Sequence, residues 1–142
     1  MHPLELDHVE IYVTDRAKAT EWYAQVLGFH PIEAFADWAE QGPLMLGNQH
    51  SQMIALFPGE AQGAHPIRGH RRIAFRVTAE GFAEFIQTSK MWRNPPLGRE
   101  SIQDHQRAIS VYFTDPFGNP LEVTTYDDTA ARAFVDQLPT AE

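Results

Sequence analysis

His8 and Glu122 lie near opposite ends of the chain and carry the chemistry of a metal site. A neutral imidazole and a carboxylate together suit a divalent ion of the Mn, Fe, Co, Ni or Zn type. A catalytic ion usually keeps three protein donors, with open positions for water or substrate. His105, in the string Asp104-His105-Gln106, is a candidate general acid or base because imidazole titrates near neutrality. Tyr126 is a second candidate proton carrier, and it and Tyr112 can donate hydrogen bonds to a ligand oxygen. Trp38, Phe35, Met45 and Phe117 could wall an apolar pocket. The chain has no Cys, which excludes a thiol nucleophile, disulfides and Cys-type zinc sites. It has no Gly-rich phosphate loop and no GxSxG elbow.

Short alternating segments must position these groups. Residues 6–13 alternate, with Val9, Ile11 and Val13 on one face and His8, Glu10 and Tyr12 on the other, the period of a strand. Thr14 or Asp15 reads as an N-cap for a helix over residues 16–27 that turns Ala19, Trp22, Tyr23, Val26 and Leu27 inward, and Gly28 as its stop. Residues 29–35, 38–41, 44–46 and 52–57 read as short strands, with Gly42-Pro43, Gly47-Asn48 and Pro58-Gly59 as punctuation. Residues 60–69 have Gly63, Pro66 and Gly69 and no periodicity, the mark of a linker.

The pattern then restarts. Residues 72–77 alternate, with Arg72, Ala74 and Arg76 opposite Ile73, Phe75 and Val77. A helix is predicted over 79–92, ended by Asn94-Pro95-Pro96. Strands are predicted over 98–102, 109–114 and 121–126, with Asp115-Pro116-Phe117-Gly118-Asn119 as a turn between the last two and a short helix over 129–138. Laying Val13-Thr14 on Val77-Thr78 gives an offset of 64 residues that places His8 on Arg72 and Ile11 on Phe75. This repeat predicts one domain over 1–142, built from equivalent modules at 4–59 and 70–127, a linker at 60–69 and a tail at 128–142. Strand faces opposite the helices carry His8, Glu10, Tyr12, Arg72, Arg76, Ser110, Tyr112, Glu122, Thr124 and Tyr126, and a curled sheet would gather them in one concavity.

At 142 residues the chain can bury a real core without staples. Eleven Lys and Arg against nineteen Asp and Glu give a net charge of −8, a poor match for nucleic acid or anionic membranes. No basic start followed by an apolar run marks a signal peptide, and no apolar run approaches the length of a membrane span, so the expectation is a soluble cytoplasmic domain.

Three strings point to a family. LDHVEIYVTDRAKATEWYAQVLGF resembles the opening module of the vicinal oxygen chelate superfamily, which includes glyoxalases, bleomycin-resistance proteins and type I extradiol dioxygenases. HRRIAFRV resembles its second-module start, and VYFTDPFGNPLEVTTYD its closing signature. The resemblance covers about residues 4–127. It implies an α+β fold of two βαβββ modules forming a cup-shaped, mostly antiparallel half-barrel with helices outside. It also implies a divalent metal held from the first, fourth, fifth and eighth strands, and a homodimer. His8 falls on the first-strand ligand position and Glu122 on the last; Ala55 occupies the fourth-strand position and cannot bind a metal. The fifth-strand position, usually His, is Arg72, whose guanidinium stays protonated and is no ligand. His70 sits two residues earlier on the same face, about 6–7 Å further along, and a shift or bulge could bring it in as a third donor.

Two functions follow from this pattern. In one, Fe(II), Mn(II), Zn(II), Ni(II) or Co(II) on His8, Glu122 and His70 polarises a small substrate for lyase, isomerase or ring-cleaving dioxygenase chemistry, with His105 or Tyr126 moving protons. In the other, a metal-free protein of the bleomycin-resistance type binds a small molecule through Arg72, Tyr112 and an apolar wall that includes Trp38. Arg72 could also pair with Glu122 and fill the metal's place.

Overall fold

The structure is a computed structural model that describes residues 4–61 and 72–139. The chain divides into two compact units, Met1–Pro66 with Asp115–Asn119, and Ile67–Thr114 with Pro120–Glu142. The first unit runs β1 (His8–Val13), α1 (Arg16–Leu27), β2 (His30–Pro31), a 3-10 helix (Glu33–Glu40), β3 (Leu44–Gly47) and β4 (Met53–Pro58). The second runs β5 (Ile73–Arg76), α2 (Ala79–Thr88), β6 (Ile102–Asp104), β7 (Ile109–Thr114), β8 (Pro120–Thr125) and α3 (Asp128–Val135). The sheet orders are β1-β4-β3-β2 and β5-β8-β7-β6, so the two βαβββ modules repeat one topology. In each sheet the first and last strands of the module pair parallel and the other pairings are antiparallel. No helix among the described residues is long and apolar enough to cross a membrane.

Local chemistry accounts for the helices. The Asp15 carboxylate accepts from the Lys18 backbone N–H at 3.0 Å and caps α1, and Gly28 closes it at φ 70°, where a side chain would be strained. Ala19 and Tyr23 are the fully buried positions of α1. Thr78 caps α2 by accepting from the Gly81 N–H at 3.1 Å, and Phe82, Phe85 and Ile86 go into the core. There the Phe85 ring packs on Phe113 and Trp92, at centroid distances of 5.1 and 5.4 Å.

Three expectations need correction. The strands predicted over 29–35 and 38–41 are a two-residue strand and a 3-10 helix over Glu33–Glu40. The helix kinks at Phe35 (φ −117°, ψ 15°), whose ring lies 4.6 Å from that of Trp38 between centroids. Arg16 takes up the carbonyls left at its end, donating to Ala39 O at 2.8 Å and Gly42 O at 2.9 Å. The helix predicted over 79–92 ends as an α-helix at Thr88 and continues as a 3-10 turn over Ser89–Met91. The strand predicted over 98–102 is a 3-10 turn at Arg99–Ser101 followed by β6, because only Ile102–Asp104 lie opposite β7 in register. The linker residues 62–69 lie outside the described residues.

Ser89 explains the early end of α2. It is fully buried, donates to Ile86 O at 2.7 Å and accepts from the buried Leu97 N–H at 2.9 Å. Ser89→Ala leaves that N–H without a partner, and chemical denaturation should register a loss of about 1–3 kcal/mol.

The closing turn also belongs to the first unit. Asp115 Oδ1 accepts from the backbone N–H groups of Phe117 and Asn119, both at 2.9 Å, and Gly118 supplies the positive φ of 91°. Asp115 Oδ2 accepts from Asn119 Nδ2 at 2.7 Å and from the Tyr23 hydroxyl at 2.8 Å, and Asn119 Nδ2 also donates to Tyr12 O at 3.0 Å. Burial, and then the Asp115 charge, push the Tyr23 phenol far above its ordinary pKa.

Candidate functional site

In the second unit, Leu121, Val123, Phe113, Val111 and Ile109 are buried. Strand alternation puts Ala74, Glu122 and Tyr112 side by side in one row of the opposite face, and Arg76, Thr124 and Ser110 in the next. Ser110 and Thr124 hydrogen-bond to each other at 2.9 Å within the core. Around the first row, polar groups gather.

The Arg72 guanidinium lies over the Tyr112 ring, with Cζ 4.1 Å from the centroid, a cation–π distance. Its Nε is buried and meets no hydrogen-bond partner among the described residues. The Tyr112 hydroxyl contacts His105 Nε2 at 2.7 Å. With a neutral ring protonated on Nδ1, the hydroxyl donates to Nε2. Glu122, half-buried and directly opposite Tyr112, makes no ion pair among the described residues. The Arg72–Glu122 pair, one of the two roles open to Arg72, is not among these ion pairs; the guanidinium lies on the aromatic face instead. Stacking hides one face of the fork, and a planar fork held this way suits a planar or tetrahedral oxyanion at its outer nitrogens.

The hairpin accounts for the His105–Tyr112 contact. Asp104 pairs with Ile109, so His105 opens the turn and reaches across to β7. Asp104 accepts from Arg132 of α3, and this contact first, then the Gln106 N–H, lower its pKa to about 2. Residue spacing gave no hint of Arg132, because the partner lies 28 positions away on a helix of ordinary composition.

Other candidates fall elsewhere. Tyr126 is 59% exposed and stacks with Arg76, whose Cζ is 4.8 Å from its ring centroid, rather than with His105. Trp38 lies in the first unit on the 3-10 helix, 49% exposed, against Phe35. His8 opens β1, is exposed, and has its Nδ1 2.7 Å from the Asp7 carboxylate. His70 lies outside the described residues. Among the described residues no three His, Asp or Glu side chains converge as a metal site, and the fifth-strand position presents a cation. Of the three expected donors only His8 and Glu122 are described, one fewer than a catalytic ion usually keeps.

A family model described as the Glyoxalase/Bleomycin resistance protein/Dioxygenase superfamily matches residues 5–123. Among solved structures, the chain is similar to a glyoxalase/dioxygenase from Nostoc punctiforme at 16% identity and TM-score 0.65, covering 87% of this chain and 91% of that one. It is similar to the fosfomycin resistance protein FosX from Listeria monocytogenes, complexed with Mn(II) and sulfate, at 16% identity and TM-score 0.61, covering 93% and 98%. FosX from Mesorhizobium loti gives 18% identity and TM-score 0.61, covering 87% and 93%. No curated protein sequence matches the chain.

Proposed function

The chain belongs to the Glyoxalase/Bleomycin resistance protein/Dioxygenase superfamily, and we propose that it binds a small organic oxyanion on the second-unit sheet face, with Arg72 as anchor and His105–Tyr112 as proton carrier. One observation carries this reading. The Arg72 guanidinium makes no ion pair among the described residues and its buried Nε meets no acceptor, and a cation left without an anionic partner is stabilised by an incoming anion. Tyr112 fixes the plane of the fork, so little side-chain freedom is lost on binding.

The rest of the row defines the ligand. Glu122 can accept from a hydroxyl or ammonium on the same molecule, which favours a ligand bearing a donor beside its oxyanion. With the ring protonated on Nε2 instead, His105 donates to the Tyr112 oxygen, the hydroxyl proton can go to a ligand oxygen, and the exposed His105 can exchange its own proton with water. A carboxylate, phosphate, phosphonate or enolate fits this set. The sulfate held in the Listeria FosX structure makes phosphonates and other tetrahedral oxyanions the first ligands to try. The anchor and the proton carrier together make isomerase or lyase chemistry the activity class we favour, with simple sequestration of the ligand as its binding-only form.

Calorimetric titration of methylphosphonate and short hydroxycarboxylates tests the reading. Binding should persist unchanged in EDTA and should not strengthen with added Mn(II). Binding that appears only with Mn(II), or a stoichiometric metal in the purified protein that is lost in Glu122→Ala, would overturn it and restore the set His8, Glu122 and His70.

A further inference from the structure

We propose that Arg132 on α3 is a positioning residue that clamps the β6–β7 turn and so holds His105 against Tyr112. The clamp grips both sides of His105. Arg132 Nε donates to Asp104 Oδ2 at 2.8 Å and Nη2 to Asp104 Oδ1 at 3.0 Å, a bidentate pair on the residue before it. The same Nη2 donates to Gln106 O at 3.2 Å, on the residue after it. Asp104 Oδ1 also accepts the Gln106 N–H at 2.7 Å, so one carboxylate ties the guanidinium to the turn.

The turn needs such support. Gln106 has φ 70°, a left-handed conformation that a residue with a side chain adopts only when its surroundings hold it there. Within the turn, His105 N–H donates to Ala108 O at 2.9 Å and Arg107 N–H to His105 O at 2.8 Å. These bonds fix the backbone locally, and Arg132 fixes it to a helix. Arg132 is itself aimed by Asp128, one helical turn earlier, at 3.1 Å. Exposed ion pairs add little to stability, so the consequence of this three-sided contact is geometric: it sets where the His105 ring lies over β7. The Asp104 carboxylate stays ionised down to about pH 2, so the clamp stays closed across the range in which imidazole titrates.

This inference rests on the proposed role of the His105–Tyr112 pair, and its test is read without ligand. Two-dimensional NMR of the histidine side-chain nitrogens reports the 2.7 Å contact at Nε2, and loss of the signal in Tyr112→Phe identifies it. In Arg132→Ala the His105 signal should move to the position of a water-exposed imidazole. Arg132→Lys, which keeps charge but not the fork, should restore it only in part, and Asp104→Asn should reproduce the alanine effect. Arg99→Ala cuts a second ion pair at the end of α3, from Arg99 Nη2 to Asp136 at 3.1 Å, and should leave the signal in place. An unmoved His105 signal in Arg132→Ala, or an equal movement in Arg99→Ala, overturns the proposal. If the signal moves as expected while the wild type binds no oxyanion, the clamp stands and the ligand reading fails.

Discussion

Asp115→Ala should lower folding stability by about 3 kcal/mol or more, a fall in melting temperature of roughly 10 °C for a chain of this size. Asp115 is 3% exposed and receives four donors: two backbone N–H groups, the Asn119 amide and the Tyr23 hydroxyl. The N–H groups of the turn can find water in the variant. The Tyr23 hydroxyl cannot, because that side chain is fully buried. The loss therefore combines several charge-assisted hydrogen bonds with one stranded polar group. Asp115→Asn should cost less, since the amide oxygen still accepts. A double-mutant cycle with Tyr23→Phe should show coupling of about 1–3 kcal/mol, and additivity between the two would refute a shared network.

The same contact sets an alkaline limit. The Tyr23 pKa is raised in the folded protein above the ordinary 10, by burial first and the Asp115 charge second. Below pH 10 both states keep the proton and the contribution is fully present. Above it the unfolded chain releases a proton that the folded chain retains, so stability falls by about 1.4 kcal/mol per pH unit. Urea unfolding between pH 7 and 11 should show this slope in the wild type, and Tyr23→Phe should flatten it. The other tyrosines remain in both proteins, so the difference isolates Tyr23.

What the sequence alone makes legible follows the range of the forces involved. Strands β1, β7 and β8 and helix α1 declare themselves through alternation and caps, which act over a few residues, and the repeated modules follow from them. The segment over Glu33–Glu40 does not declare its helix locally: the carbonyls at its end are met by Arg16, some twenty positions away. Strand β6 begins later than its own residues suggest, because its ends are set by the register of β7. The site shows the same division. Arg72, Tyr112, His105 and Glu122 stand out by type and strand face. The Arg72–Tyr112 stack and the Arg132 clamp do not, since each joins residues far apart in the chain. The closing turn reads as a family mark in sequence, and the fold gives the reason: Asp115 organises the turn and then serves as partner to Tyr23.

Arg72→Ala should separate binding from stability. Truncating a buried charge that meets an oxyanion typically costs 2–5 kcal/mol, so affinity for methylphosphonate should fall roughly 30-fold to a few thousandfold. Folding should respond differently. An unpartnered buried donor costs about 1–3 kcal/mol in the free protein, and its removal offsets the lost cation–π contact and stem packing. The melting temperature of the ligand-free variant should therefore stay within a few degrees of the wild type or rise. Arg72→Lys keeps the charge without the fork or the stack and should fall between the two in affinity. Tyr112→Phe keeps the ring under the guanidinium and loses the hydroxyl, so it should retain most of the affinity while disconnecting His105. The opposite pattern, with Arg72→Ala losing stability and keeping affinity, would make Arg72 a packing residue. A residue that leaves the free fold no weaker when it is removed, yet is required for the ligand, is there for the ligand.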